Sequence, residues 1–223
     1  MKSSAMAVLS LMLLGLNNVE ANLVTNPSFE TFTGSFGGDG GSQLIPGSTT
    51  LIGWSIIGNE IGVIKNPNIY NLTPSEGNNF LDLTGYTSAG FPKGVSQTLN
   101  GLIAGQTYTF AMDLGVRNGA CVNGGNNCTG PIQIAASIGN TSQTFTHNSF
   151  DSGNIWGTYG FDFTAVSPSM TLAILENSIP PGNFYIGLDT VSVSAVPLPA
   201  AVWLFGTGLL TLGALRKRPV SFA

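Results

Sequence analysis

The sequence predicts an all-β protein, an antiparallel β-sandwich of the jelly-roll type. Through the middle of the chain, apolar residues alternate with small or polar ones at the period of a half-buried strand. Clusters of Gly, Asn, Ser and Pro separate these segments, and no amphipathic helix of ten residues is evident. Many short strands joined by glycine-rich turns are typical of antiparallel sandwiches and jelly rolls.

The alternation places five strands, the last interrupted near Asp189. Their predicted inward residues, strand by strand, are Tyr108, Phe110, Met112, Leu114 and Val116; Ile132, Ile134, Ala136 and Ile138; Tyr159, Phe161, Phe163 and Ala165; Met170, Leu172 and Ile174; and Ile186, Leu188, Val191 and Val193. Upstream of them, Gly34–Ser42 is so polar and glycine-rich that we expect a mobile loop.

The N-terminus has the organisation of a signal peptide. Lys2 gives a short positive region, Ala5–Leu16 is an apolar run of 12 residues, and Val19 and Ala21 are small residues at the −3 and −1 positions. We therefore expect residues 1–21 to be removed before Asn22. The alternative is an uncleaved N-terminal anchor, for which the apolar run is short.

The C-terminal segment, residues 196–223, indicates that the protein is targeted to a membrane. A proline-containing motif precedes an apolar run with no charge at 200–215 and a basic cluster at 216–218. A helix over that run is about 24 Å long, against a hydrocarbon core of about 30 Å, so it is a short transmembrane span. The basic cluster places the C-terminus in the cytoplasm and the residues before the motif outside. The alternative is a buried core helix, but such a helix is normally amphipathic.

These parts, in this order, resemble the VPLPA variant of the PEP-CTERM sorting signals. The motif residues are Val196, Pro197, Leu198, Pro199 and Ala200. The resemblance implies a Gram-negative bacterium that makes extracellular polysaccharide. It also implies transient anchoring in the inner membrane, cleavage near the prolines by an exosortase, and delivery to the cell surface or the extracellular space. Residues 219–223 extend beyond the point where such tails usually stop.

The exported part, residues 22–195, is strongly acidic. It holds ten acidic and three basic residues, a net charge of −7, whereas the whole chain carries −4 because four of its seven basic residues lie in the terminal segments. No basic patch exists for a phosphate backbone, which argues against nucleic acid as a partner. Such a domain suits divalent cations or neutral polymers. Its length suffices for one well-buried core.

The chain has two cysteines, Cys121 and Cys128, which enclose a six-residue loop. Exported proteins meet an oxidising compartment, so we expect a disulfide between them, worth about 2–3 kcal/mol. A zinc site is disfavoured because no histidine accompanies the two thiols.

A second resemblance covers most of residues 22–195. Asn22–Glu30 resembles the opening strand of galactose-binding-like jelly rolls, with Pro27 where glycine is usual. The segments 46–54, 76–85, 95–98, 105–110 and 187–193 follow in the order typical of the choice-of-anchor C family. This family is related to carbohydrate-binding jelly rolls and has no established activity. Residues 118–130 read as an insertion.

Glu30 and Asp189 are candidate ligands of a structural calcium ion. In the carbohydrate-binding relatives, acidic residues at the end of the first strand and in the last strand help to bind Ca²⁺ together with backbone carbonyls. Hard oxygen ligands suit this ion. The alternative is that both are ordinary surface carboxylates or caps.

Exposed aromatic rings are candidate sugar-binding platforms. Trp54 and Trp156 lie in strand-like motifs, so we expect them in the core. Tyr70, Tyr86 and Phe91 lie in loop-like segments and are the better surface candidates.

Catalysis is the least favoured class of function. His147 is the only histidine, so a Ser-His-Asp site would need it, and no nucleophile elbow is present. A glycosidase needs two carboxylates about 5–10 Å apart; the candidates are Glu60, Glu76, Asp82 and Glu176. We expect a non-catalytic structural or binding protein of the extracellular matrix, linked to exopolysaccharide or biofilm. The alternatives are a specific carbohydrate-binding module and a polysaccharide hydrolase.

Overall fold

The computed structural model describes residues 21–70, 72–87, 91–116, 132–147, 156–177 and 186–197. Residues 21–196 form one compact unit, and residues 1–20 and 197–223 form a second, of which only Pro197 is among the described residues. The predicted signal peptide, the disulfide between Cys121 and Cys128, and the predicted transmembrane segment lie outside the described residues. Within the described ranges there is no helix long and apolar enough to cross a membrane.

Two antiparallel sheets make up the described part of the compact unit. One sheet has six strands in the order β1-β3-β4-β11-β6-β9, and the other has five in the order β2-β5-β10-β7-β8. The strands are β1 (Gly41–Leu44), β2 (Ser55–Ile57), β3 (Ile61–Lys65), β4 (Asn79–Asp82), β5 (Gly94–Asn100), β6 (Thr107–Val116), β7 (Ile132–Ile138), β8 (Thr141–His147), β9 (Trp156–Thr164), β10 (Ser169–Glu176) and β11 (Ile186–Ala195). The predicted all-β sandwich is confirmed.

The five strands predicted from alternation are β6, β7, β9, β10 and β11. Their predicted inward residues lie in the core between the sheets, except that Tyr159 and Phe161 are only partly buried. The interruption predicted near Asp189 is confirmed, because the pairing of β11 with β6 shifts register between Asp189 and Ser192.

Two sequence-based expectations are wrong. Asn22–Glu30 is not a regular strand: Asn26 and Phe29 have positive φ angles of 55° and 59°, which break the extended backbone. Gly34–Ser42 is not simply a mobile loop, because Gly41 and Ser42 belong to β1, and the Lys65 N–H donates to the Gly40 carbonyl. Pairing with β3 therefore orders a segment whose composition alone suggests a loop.

A smaller apolar cluster lies on the outer face of the six-stranded sheet. Ile64, Leu72 and Phe80 form it, with Tyr70 and Trp156 packed against them. Phe80 alternates with the inward Leu81 of β4, so the cluster lies on the face opposite the main core. The segment between β3 and β4 therefore folds back over this face of the sheet.

The two ends of the sandwich differ in chemistry. The end we call the tail end is formed by the turns 101–106, 139–140 and 165–168 and by the last residues of β11. The opposite end, called here the ion-pair end, is formed by residues 58–60 of the β2–β3 connection and by residues 83–87 and 91–93 of the β4–β5 connection. Each connection joins strands of different sheets.

A buried ion pair joins the two connections of the ion-pair end. Lys93 and Glu60 are fully buried, with 3.3 Å between Lys93 Nζ and Glu60 Oε1. The ammonium also donates to the carbonyl oxygens of Thr84 and Thr87, at 2.7 and 2.5 Å. All three hydrogens of the ammonium thus have acceptors, which is the condition under which a buried lysine is tolerated.

Candidate functional site

The most accessible aromatic ring among the described residues is that of Tyr86, which is 45% exposed. The ring lies against the outer face of the six-stranded sheet, over Gly41 of β1 and Gly62 of β3. A Cβ on Gly41 would overlap the Tyr86 hydroxyl oxygen, and one on Gly62 would lie 3.6 Å from Tyr86 Cε2. The absence of side chains at the two glycines therefore makes room for the Tyr86 side chain on this face of the sheet.

Tyr70 and Asp39 complete what we call the Tyr86 patch, formed by Asp39, Gly41, Gly62, Tyr70 and Tyr86. The Tyr70 hydroxyl donates to Asp39 Oδ2 and is also hydrogen-bonded to the Tyr86 hydroxyl. The hydrogen bond from Tyr70, followed by that from the Gly41 N–H, lowers the pKa of Asp39. The patch therefore combines an exposed ring with an ionised carboxylate.

Three carboxylates lie near Tyr86: Asp39, which is partly exposed, and Asp82 and Glu60, which are buried. Partial burial is the main cause that raises the pKa of Tyr86, and the nearby charges of Asp39, Asp82 and Glu60 raise it further. Ionised carboxylates accept hydrogen bonds and donate none. The surroundings of the ring thus suit a ligand rich in hydroxyl donors and without negative charge.

The ion pair at the sandwich end fixes the turn that carries Tyr86. Lys93 binds the carbonyls of Thr84 and Thr87, and Glu60 accepts the Thr87 N–H. Burial opposes the charged form of Glu60, but hydrogen bonds from Gln43, Thr87 and Lys93 outweigh it and lower its pKa. The charge of the buried Glu60 is thereby retained.

Phe91 packs against this same ion pair. Its ring is partly buried, with the Lys93 ammonium 4.9 Å from the ring centroid. One face of Phe91 is therefore taken by a cation–π contact, which leaves only the other face for a ligand. Of the three aromatic residues selected from the sequence, the structure brings Tyr70 and Tyr86 together and places Phe91 beside the ion pair.

Two buried carboxylates, Asp82 and Glu176, lie close enough to interact at the ion-pair end. Burial, and to a lesser degree the charge of Glu176, raises the pKa of Asp82 to about 7, against hydrogen bonds from Thr84 that lower it. Asp82 follows the inward Leu81 and is paired in register with glycines on both neighbouring strands, Gly62 and Gly187.

Glu30 and Asp189 both bind the turn that precedes β4. Glu30 Oε1 accepts the N–H groups of Asn78 and Asn79, each at 2.8 Å, and Asp189 Oδ2 accepts the N–H of Glu76 at 3.0 Å. The two residues selected from the sequence as calcium ligands are thus held by one four-residue segment.

Asp189 is fully buried and lies opposite Asp113 in the sheet. Burial raises the pKa of Asp189 to about 7, the charge of Asp113 raises it further, and backbone hydrogen bonds from Glu76, Thr190 and Ser75 oppose the rise. In the described ranges, no group of three or more His, Cys, Asp or Glu side chains is arranged to hold a metal. A calcium ion here would have Glu30 and Asp189 as two of its six to eight oxygen ligands and need carbonyls or water for the rest.

The other sequence candidates occupy different surroundings. Trp54 lies in the main core, and its Nε1 donates to the Asn26 carbonyl. Trp156 is partly buried and packs edge-on against Phe80. His147 is buried, with Nδ1 2.9 Å from the Tyr159 hydroxyl.

A cleft of about 420 Å³ lies along residues 47–56 and contains no ionisable side chain in its lining. It holds none of the sequence candidates except Trp54, which contributes to its wall. The charged groups of the ion-pair end thus lie outside this cleft.

Sequence reasoning missed Lys93 and Asp39. Neither lies in a recognisable motif: Lys93 follows a proline, and Asp39 lies within the glycine-rich stretch expected to be a loop. Glu60 was selected only as a candidate acid, whereas its carboxylate is paired with Lys93. The one signal that could have indicated the buried ion pair is the position of Lys93. It is a single lysine just before a largely apolar strand, in a domain with few basic residues.

The Asp82→Asn substitution tests whether burial raises the pKa of the Asp82 carboxyl, through the pH dependence of the free energy of unfolding. Because the folded-state pKa is raised to about 7 from 3.8, ionisation opposes folding. The stability of the wild type should therefore be full below about pH 4 and fall as pH rises towards 7, by up to about 4 kcal/mol. Asparagine keeps the acceptor oxygen for Thr84, so the variant should be the more stable protein at pH 8.

Urea unfolding of residues 22–196 at pH 4 and pH 8 measures this difference. Asp162→Asn, an exposed aspartate on β9, is the matched control. If Asp82→Asn is equally destabilising at both pH values, the carboxyl is ionised in the folded protein and the assignment is wrong.

The fold is shared with proteins of several activities. The Stig cyclase Fisc from Fischerella sp. TAU, solved with (3Z)-3-(1-methyl-2-pyrrolidinylidene)-3H-indole, has a TM-score of 0.56 at 18% identity, covering 79% of this chain and 97% of that one. The module TmCBM61, solved with beta-1,4-galactotriose, has a TM-score of 0.50 at 15% identity, covering 79% and 99%. Arabinose-bound MgGH51 α-L-arabinofuranosidase has a TM-score of 0.51 at 11% identity, covering 80% of this chain and 27% of that one.

At these identities the likeness establishes a common sandwich fold, and because the neighbours include both a cyclase and a carbohydrate-binding module, it does not decide between binding and catalysis. No curated protein matches the chain in sequence. Residues 22–193 match the family described as "Protein of unknown function (DUF642)". The chain therefore belongs to the DUF642 family.

Proposed function

We propose that this protein is an exported, non-catalytic protein of the cell surface or extracellular matrix that binds neutral polysaccharide at the Tyr86 patch. One observation carries the proposal: an exposed tyrosine side chain lies against the sheet at Gly41 and Gly62, beside the carboxylate of Asp39. An aromatic face packs on the apolar face of a sugar ring, and carboxylates accept the sugar hydroxyl hydrogens.

The charge of the domain selects the type of polysaccharide. A net charge of −7 over residues 22–195 repels acidic polymers, and the ionised Asp39 beside Tyr86 does so at short range. A neutral polymer meets no such repulsion. The likeness of the fold to TmCBM61, solved with beta-1,4-galactotriose, makes β-linked neutral oligosaccharides the first probes to use.

The terminal segments supply the route in this proposal. A signal peptide over residues 1–21 directs export, and the segment 196–223 holds the protein transiently in the inner membrane until an exosortase-type enzyme cleaves near Pro197 and Pro199. The disulfide between Cys121 and Cys128 fits that oxidising route. The destination is the surface or surroundings of a Gram-negative bacterium, with exopolysaccharide or biofilm as its setting.

A structural calcium ion is a second part of the proposal. Glu30 and Asp189 present hard oxygen donors to one turn, and the buried Asp189 has no cationic side chain among its hydrogen-bond partners in the described residues. A cation would offset the charge that burial and Asp113 disfavour. The ion would hold the turn before β4, a strand inside the six-stranded sheet, in place.

Substitution of the tyrosine tests the binding proposal. We expect Tyr86→Ala to weaken binding of β-1,4-galactan oligosaccharides, or of whichever neutral glycan an array identifies, by tenfold or more. Tyr86→Phe should retain most of the affinity, because stacking needs the ring and not the hydroxyl. Isothermal titration calorimetry on the secreted domain measures both.

Ile103→Ala, which removes an exposed apolar side chain at the other end of the sandwich, is the control and should bind as the wild type does. Affinity that survives the triple variant Tyr70→Ala, Tyr86→Ala and Phe91→Ala would place the binding surface elsewhere. Release of reducing sugar by the wild type, abolished by Asp82→Asn, would contradict the non-catalytic part and favour a hydrolase.

Calcium should stabilise the domain. At about a hundredfold excess over its dissociation constant, a single bound ion adds about 2.7 kcal/mol, which raises Tm by about 5–10 °C for a domain of this size. Thermal unfolding in calcium and in EGTA measures the shift, and Glu30→Gln or Asp189→Asn should abolish it. Equal Tm values in the two solutions would show that the folded domain does not bind calcium.

Processing of the tail is tested by mass spectrometry of the mature protein from the producing cell. We expect a C-terminus within or just after residues 196–200, because the proposed cleavage lies near the prolines. Mature surface protein that retains Arg216–Ala223 would show that the tail is a permanent anchor and not a sorting signal.

A further inference from the structure

The tail end of the sandwich carries no charge in its described residues. The segments 21–23, 100–107, 139–141, 164–169 and 195–197 contain no Asp, Glu, Lys, Arg or His. The nearest acid along the strands is Asp162, two residues before the end of β9, or about 7 Å back. Nine of the ten acidic residues of 22–195 are among the described residues, and none of these nine lies at the tail end.

The same end carries the two most exposed large apolar side chains of the described residues. Ile103, in the turn between β5 and β6, is 63% exposed, and Val166, in the turn between β9 and β10, is 74% exposed. Both lie at loop tips, where exposed residues are usually small or polar. An uncharged end with protruding aliphatic side chains suits an apolar or interfacial partner.

Hydrogen bonds hold these two turns together. The N–H groups of Leu102 and Gly105 donate to the carbonyls of Pro168 and Ala165, at 3.2 and 2.8 Å, and the Ile103 N–H donates to the Tyr108 hydroxyl at 2.9 Å. The two aliphatic tips are therefore presented by one ordered surface.

The chain leaves the sandwich at this surface. The Val196 N–H donates to the Thr107 carbonyl at 3.0 Å, which ties the chain to the tail end one residue before Pro197. From Val196 to Ala200, four residues span at most about 12–14 Å, whether in polyproline II or fully extended form. The apolar run 200–215 thus begins within that distance of the tail end.

We propose that the tail end, through Ile103 and Val166, contacts the lipid surface while residues 200–215 span the membrane. This rests on the membrane part of the proposed function. The short connection and the headgroup layer, about 5–8 Å thick on each side, place the aliphatic tips at interfacial depth. A span of about 24 Å, shorter than the hydrocarbon core, draws the domain closer still.

The consequence is an orientation for the binding surface. The Tyr86 patch lies towards the ion-pair end, so it points away from the lipid and outward, and the acidic side chains lie farther from anionic headgroups than they would in the reverse orientation. The uncharged end thus allows an acidic domain to approach the membrane.

Bromolipid quenching of tryptophan fluorescence tests this contact in the full chain, reconstituted in nanodiscs of phosphatidylcholine with plain or brominated acyl chains. In a Trp203→Phe background, one variant carries Val166→Trp, and the matched control carries Ile45→Trp. Ile45 is 55% exposed and follows β1 at the ion-pair end. We expect brominated lipid to quench the added tryptophan of Val166→Trp and to leave that of Ile45→Trp unchanged.

The protein with its native Trp203 separates the two proposals. If Trp203 is not quenched, the tail does not enter the lipid and the anchoring part of the proposed function fails. If Trp203 is quenched but Val166→Trp is quenched no more than Ile45→Trp, the domain is anchored without contact at the tail end, and the present inference is wrong.

Discussion

The buried ion pair between Lys93 and Glu60 is the interaction on which the candidate site depends. It joins the two connections that cross between the sheets at one end, and Lys93 also binds the carbonyls that bracket the turn carrying Tyr86. Loss of one partner of such a pair typically costs about 3–5 kcal/mol, because the other charge stays buried and uncompensated. The position of the Tyr86 ring therefore depends on the same ion pair that stabilises this end of the sandwich. In this way a residue in a turn is held rigidly against the sheet.

Segregation of charge gives the molecule two different ends. Glu60, Asp82, Lys93 and Glu176 lie at the ion-pair end, whereas the described residues of the tail end carry no charge. The chain leaves from the uncharged end, so the polar end and the Tyr86 patch are free to face a polymer. Both proposals follow from this single arrangement: a hydroxyl-rich ligand meets aromatic and acidic groups at one end, and lipid meets aliphatic groups at the other.

The sequence predicted the strands whose packing decides their conformation. In β6 and β7 every second residue is apolar and buried between the sheets, and in β10 Met170, Leu172 and Ile174 are, so the period alone identifies these strands. Periodicity failed where strand pairing or backbone geometry determines the conformation. Gly41 belongs to β1 because β3 pairs with it. Positive φ angles at Asn26 and Phe29 bend a segment whose sequence otherwise resembles a strand. Tyr86 was selected from its loop-like surroundings. The packing of Tyr86 on Gly41 and Gly62, and the hydrogen bonds of Lys93 to the turn that carries Tyr86, could not be predicted. These contacts join residues that are separated in sequence.

NMR mapping of the contact surface is the sharpest test of glycan binding at the Tyr86 patch. Isotope-labelled domain, residues 22–196, is titrated with a neutral oligosaccharide that it binds, and amide and aromatic shifts are followed. If the glycan binds at the Tyr86 patch, the largest shift changes will fall on the Tyr86 amide and ring, on Gly41 and Gly62, and on the turn 83–87. Changes centred on the cleft at 47–56, or on the tail end, with none at Tyr86, would contradict it.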